Sequence, residues 1–132
     1  MRGPALAAVF LAAEDVAFVV VGGVGLRLRG IDHVPKDLDI VPETSPANLG
    51  RLTDAVLALG LVQPDRVPDL ATAPDVVTIT TSLTRVDVMV RRGDMEYEAL
   101  TESGDDVILS GTSVRVASLA DLHRLRAHHC SA

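Results

Sequence analysis

The sequence predicts an α/β domain in which helices cover a mixed β-sheet. Two observations carry this. Short valine-rich runs such as Ala17–Val21 are too apolar to be surface strands and too short to be helices, as expected for strands buried on both faces. These runs are separated by helical segments in the first half of the chain and follow one another in the second, giving the order α-β-α-β-α-β-β-(β-β)-α. The 132 residues are read as one domain, 1–132.

The elements follow in order. Leu6, Val9, Phe10 and Ala13 recur at helical spacing, predicting an amphipathic helix over 4–15. Ala17–Val21 is a strand ended by Gly22-Gly23, and residues 24–30 form a short helix closed by Gly30. Asp37–Val41 is the second strand. Ser45-Pro46 opens a helix whose seam is Leu49, Leu52, Val56 and Leu59, and Gly60 ends it. The proline-rich segment 63–74 reads as an exposed loop. Val76–Thr80 and Arg85–Val90 are strands, the second with Val86, Val88 and Val90 alternating against Arg85, Asp87 and Met89. Residues 94–104 are acidic and fit neither template. Val107–Leu109 and Ser113–Val116 form a hairpin around Ser110-Gly111. Ser118 with Asp121 forms a capping box for a last helix carrying Leu119, Leu122 and Leu125.

Composition narrows the function. Two Phe, one Tyr and no Trp make a base-stacking platform for single strands a poor fit. A net charge of −6 argues against general DNA binding. Cys130 is the single cysteine, consistent with a reducing cytoplasm. Arg2 followed by Pro4–Ala13 imitates a short signal peptide, but the run breaks at Glu14-Asp15, so it is read as a helix. No apolar run reaches transmembrane length, so no membrane partner is expected. His123, His128, His129 and Cys130 lack the spacing of a structural zinc site, and Arg91-Arg92 reads as a charged strand end.

The stretch with chemical content is Phe18–Val41. A Gly-Gly pair at a strand-to-helix turn lets the backbone approach a ligand closely. Asp37 and Asp39 are two apart, so an extended strand puts them on one face about 7 Å apart, with Leu38 and Ile40 turned to the core. Unpaired carboxylates on a core strand are costly, and like charges repel, so the pair calls for a cation. Asp87, flanked by valines, is a third such acid; ion pairing with Arg85 or Arg91 is the plain alternative. Three carboxylates on neighbouring strands beside a glycine turn suit Mg²⁺.

At this point the residues resemble the nucleotidyltransferase superfamily, which has a DNA-polymerase-β-like palm. Gly22-Gly23, Asp37-x-Asp39 and the later Asp87 carry the likeness. The form VVVGG-x-G-L-x-L-x-G followed by KDLDIV is most similar to small bacterial nucleotidyltransferase-like proteins, some of which act in toxin–antitoxin pairs, and SVRVASLADLHRLRA is similar to their C-terminal strand and helix. The resemblance implies that Gly22 and Gly23 contact a nucleoside triphosphate, that Asp37 and Asp39 hold Mg²⁺, and that Asp87 completes the site and helps deprotonate an attacking hydroxyl. It implies an enzyme moving a nucleoside monophosphate onto a protein or RNA acceptor. Relatives often carry R-x-T-x-D before the aspartates; here His33 and Pro35 stand at the Arg and Thr positions. Arg27, Arg29 and Lys36 are the cations available to replace that arginine as phosphate ligands. The departures, and the expectation that no substrate-specifying second domain follows the last helix, motivate the alternative of a catalytically impaired binding module acting as an antitoxin or regulatory partner.

Overall fold

The computed structural model describes residues 1–60, 67–72, 76–90 and 97–130, with the side chains of 126–130 left aside. Its elements are α1 (Arg2–Ala13), β1 (Phe18–Val21), α2 (Gly22–Leu28), β2 (Leu38–Pro42), α3 (Pro46–Ala58), β3 (Val76–Thr80), β4 (Arg85–Met89), α4 (Tyr97–Ser103), β5 (Asp105–Leu109), β6 (Thr112–Val116) and α5 (Leu119–Cys130). The strands form a six-stranded sheet in the order β3-β4-β2-β1-β6-β5. β1 runs antiparallel to β2 and parallel to β6, and β2 runs parallel to β4, so the sheet is mixed as expected.

Both faces of the sheet are covered, which is why β1 is apolar throughout. Phe18 and Val20 join a cluster with Ala7, Ala8 and Leu11 of α1 and Leu49, Leu52 and Val56 of α3. Val19 and Val21 point the other way, to Leu26 of α2, Leu100 of α4 and Leu122 and Leu125 of α5. The same alternation runs through β2, with Leu38 and Ile40 on the first face and Val41 on the second, and through β4, with Val86 and Val88 opposed to Met89.

Local signals set several boundaries. The Ser45 hydroxyl accepts from Asn48 N at 3.3 Å, and Pro46 opens α3. Gly60, at φ +84°, follows the end of that helix. Ser110 (φ 50°) and Gly111 (φ 78°) make the two-residue left-handed turn that matches the twist of the β5–β6 hairpin. The Ser118 hydroxyl accepts from Asp121 N at 3.1 Å, the capping contact expected of it. The Asp121 carboxylate also accepts from Ser103 Oγ at 2.7 Å and so ties α5 to α4.

Four expectations are corrected. The buried stripe of α1 is Pro4, Ala7, Ala8 and Leu11, while Leu6 is 41% exposed. Its sequence is apolar all round, so no polar face fixed the phase; the small side chains face the sheet because they allow close approach. The second helix starts at Gly22 rather than residue 24. It closes with Gly30 N–H donating to Arg27 O (3.0 Å) and Ile31 N–H to Leu26 O (3.0 Å), a Schellman pair that places Gly30 outside the helix at φ +90°. Residues 97–103 form α4, which carries too few apolar residues to show a period. Tertiary contacts hold it: Leu100 is buried, and Arg115 donates to the Thr101 carbonyl from Nε (2.9 Å) and Nη2 (2.5 Å). In the 63–74 loop, the described part places Leu70 in the core, 2% exposed. Arg91 and Arg92 lie outside the described residues.

Asn48 is a buried polar residue that sequence reading passed over. It is fully buried, accepts from Ala17 N (2.8 Å), and donates to the carbonyls of Ala17 (2.9 Å) and Glu43 (2.8 Å). These bonds satisfy the backbone where β1 begins and α3 is approached, and so help fix how β1 enters the sheet.

Candidate active site

The second face of the sheet is covered by helices only in part. Val41 and Met89 lie under α4 and α5. One step along the same face, in β2 and in β4, stand Asp39 and Asp87, directly opposite each other in the parallel register. β3 extends the row, because Thr78 lies opposite Asp87 and donates to Asp87 Oδ1 at 2.8 Å. On the other side, Val21 at the end of β1 lies opposite Asp39.

Gly22 follows immediately, with φ +64°. A side chain there would occupy the place of the Asp39 carboxylate, with Cγ at 2.8 Å and Cβ at 2.9 Å from the added carbon. Glycine is thus required twice over, by the backbone angle and by the packing of a carboxylate against its Cα. At Gly23 an added Cβ would lie 2.7 Å from His33 Nε2 and 3.2 Å from Pro35 Cβ. The connector residues that depart from the family pattern are therefore packed against the glycine turn.

The carboxylates are not equivalent. Burial first, then a hydrogen bond with Asp87 and the charges of Asp87 and Asp37, push Asp39 up from its ordinary 3.8 to about 7, with Arg85 acting in the opposite sense. Asp39 is therefore the carboxyl of this pair that holds a proton most readily, hydrogen-bonded to Asp87. Asp37 precedes β2, and its carboxylate turns away to Arg85, whose Nη2 lies 2.6 Å from Asp37 Oδ2. The Nε of Arg85 lies 3.7 Å from Asp87 Oδ1. The three acids expected to act together share one end of the sheet. As placed, no three Asp, Glu, His or Cys side chains among the described residues converge tightly enough to hold an ion.

The basic residues divide. Arg29 is a structural clamp, with Nε and Nη2 donating to the carbonyls of Ala117 (3.0 Å) and Val116 (3.3 Å) and Nη1 to Asp105 (2.7 Å). Arg27, in the last turn of α2, faces the exposed Asp32 at 3.8 Å. The side chain of Lys36 is exposed, and its carbonyl accepts from Thr84 Oγ1 at 3.1 Å. Sequence reading missed Thr78 as a partner of Asp87. The alternation of β3 puts Thr78 on an exposed face, but the strand pairing that aims it at Asp87 is invisible in one dimension.

No family model matches the sequence, and no curated protein matches it. Solved structures do. TM1012 of Thermotoga maritima, a candidate nucleotidyltransferase, superposes with a TM-score of 0.66 at 14% identity over 92% of this chain and 81% of its own. ANT(2″)-Ia, solved in complex with adenylyl-2″-tobramycin, gives 0.60 at 17% identity over 97% of this chain and 73% of its own. The fold is nucleotidyltransferase-like. An antigenic nucleotidyltransferase-like protein from Paracoccidioides brasiliensis is also similar, with a TM-score of 0.50 at 15% identity over 87% of this chain and 58% of its own. At these identities the likeness establishes the nucleotidyltransferase-like fold, with the covered mixed sheet expected from the sequence and α4 added to the expected order of elements. No helix among the described residues is long and apolar enough to cross a membrane.

Proposed function

We propose that the Asp37, Asp39 and Asp87 cluster is the centre of an Mg²⁺-dependent nucleotidyl transfer. The observation that carries this is the placement of Asp39 opposite Asp87, against the Cα of Gly22 at the end of β1. A half-buried pair of facing carboxylates is costly for a fold to maintain, and a cation relieves it. The donor set is all carboxylate oxygen, which suits Mg²⁺. Asp37, Asp39 and Asp87 would hold the ion, which supplies positive charge to offset the charge building at the reacting phosphate.

The protein's own residues would do the rest. The acceptor hydroxyl attacks the α-phosphorus of a nucleoside triphosphate. A new P–O bond forms, the bond to the β-phosphate oxygen breaks, and pyrophosphate leaves. Asp87 takes the hydroxyl proton, with its carboxylate oriented by the Thr78 hydroxyl. Gly22 and Gly23 would contact the triphosphate through the backbone of the turn, and Arg27 and Lys36 are the cations assigned to its charge. The acceptor is a hydroxyl on a protein or RNA, in the setting of a toxin–antitoxin pair.

A second reading has one observation in its favour. His33 and Pro35 cover Gly23, the position assigned to triphosphate, which fits a nucleotidyltransferase-like binding module without turnover.

The test is transfer of label from α-³²P nucleoside triphosphates with Mg²⁺ to cell lysate, to RNA, and to an aminoglycoside, the last because the ANT(2″)-Ia structure holds an adenylylated one. Transfer that is lost in Asp39→Ala and Asp87→Asn is the expected result. Mg²⁺-dependent triphosphate binding by calorimetry that disappears in Asp37→Asn would argue for a working site and against the binding module. Absence of both would refute the reading.

A further inference from the structure

Arg85 stands where a cation is wanted. Its guanidinium lies 2.6 Å from Asp37 Oδ2 and 3.7 Å from Asp87 Oδ1, touching two of the three acids, and it opposes the upward shift of the third. It is the first residue of β4, two before Asp87 and on the same face, so strand geometry aims it at this cluster. The side chain is 51% exposed, so it can leave for water without uncovering core. An ion pair this exposed is a weak restraint, and the guanidinium brings one positive charge where a divalent ion brings two.

We propose that Arg85 is an exchangeable counter-ion, a built-in competitor that holds Asp37 away from Asp39 and Asp87 until a divalent cation displaces it. This rests on the carboxylate cluster being a metal site, and it adds a specific role for a residue outside the three acids. In the metal-free protein Arg85 restrains Asp37 and lowers the negative potential at the cluster. When the cation enters, Asp37 is released to join the other two acids. The guanidinium is then freed beside the site, where it can meet the phosphate groups of an incoming triphosphate.

The experiment is Mn²⁺ binding by electron paramagnetic resonance on the full chain, comparing the native protein with Arg85→Gln and Arg85→Lys. Removing the positive charge is expected to tighten Mn²⁺ binding roughly tenfold in Arg85→Gln, while Arg85→Lys, which keeps the charge, stays within about threefold of native. In the native protein, the ¹⁵Nε signal of Arg85 is expected to shift as Mg²⁺ is added; this needs no variant and serves if Arg85→Gln does not fold. Mn²⁺ binding that is equal or weaker in a folded Arg85→Gln overturns the exchange while leaving the metal site standing. So does an Arg85 signal unmoved at saturating Mg²⁺. If neither native protein nor Arg85→Gln binds Mn²⁺, the metal site fails and the exchange fails with it.

Discussion

Asp39 lies opposite Asp87 across the parallel β2–β4 pair, and the two carboxyls share a hydrogen bond. Neither strand can move its acid away, because Leu38, Ile40, Val86 and Val88 anchor both in the core on the opposite face. The pairing of the acids is thus a consequence of how the strands are buried.

A pH dependence follows from it. The folded chain holds the Asp39 proton up to about pH 7, whereas the ordinary value is 3.8. Protonation therefore favours the folded state. This stabilisation is complete below about pH 4, falls as pH rises from 4 to 7, and is gone above that. Asp39→Asn removes the titration, so its stability relative to the native chain should rise across this interval and level off above pH 7, at no more than about 4 kcal/mol. Urea unfolding at pH 4 and pH 8, in chelator to exclude divalent ions, measures it. A native chain that instead gains on the variant towards pH 8 would contradict the raised Asp39 value.

Gly22 and Gly30 both have positive φ, but only Gly22 has a neighbour in the place a side chain would take. Gly22→Ala meets backbone strain and the Asp39 carboxylate together, and should cost about 2–3 kcal/mol. Gly30→Ala finds open space and should cost about 1 kcal/mol, the backbone part alone. Shortening the obstacle with Asp39→Ala should recover part of the Gly22→Ala loss. Thermal unfolding of the two single variants and the Gly22→Ala/Asp39→Ala double variant checks this, and strictly additive losses would place Asp39 elsewhere.

Arg29 separates structural from ligand-binding cations. Its bonds to Val116, Ala117 and Asp105 join the end of α2 to β5 and the end of β6. Arg29→Ala is expected to cost about 2 kcal/mol of stability while leaving triphosphate affinity unchanged below the melting transition. Calorimetry paired with chemical denaturation distinguishes this from a phosphate ligand, for which affinity would drop and stability would hold.

Much of the fold was written locally. Ser45-Pro46, Gly30, Gly60 and Ser110-Gly111 marked ends and turns because capping and positive φ are properties of one or two residues. The strands β1, β2 and β4 were legible because burial on one or both faces leaves a short-range pattern. α4 was not, since its stability comes from Leu100, Arg115 and Asp121, contacts separated widely along the chain. The face of α1 was misread because a helix with no polar side has no phase until the sheet selects one.

The sequence by itself determined the α/β class, the glycine turn and the acids Asp37, Asp39 and Asp87, since strand period and residue chemistry are carried by neighbours in the chain. Only the tertiary structure decided which acids meet. Strand register set Asp39 against Asp87 and Thr78 against Asp87, and it gave Arg85 to Asp37. Register is fixed by the packing of the whole sheet between its helices, and a slip of one residue would turn every one of these side chains to the other face.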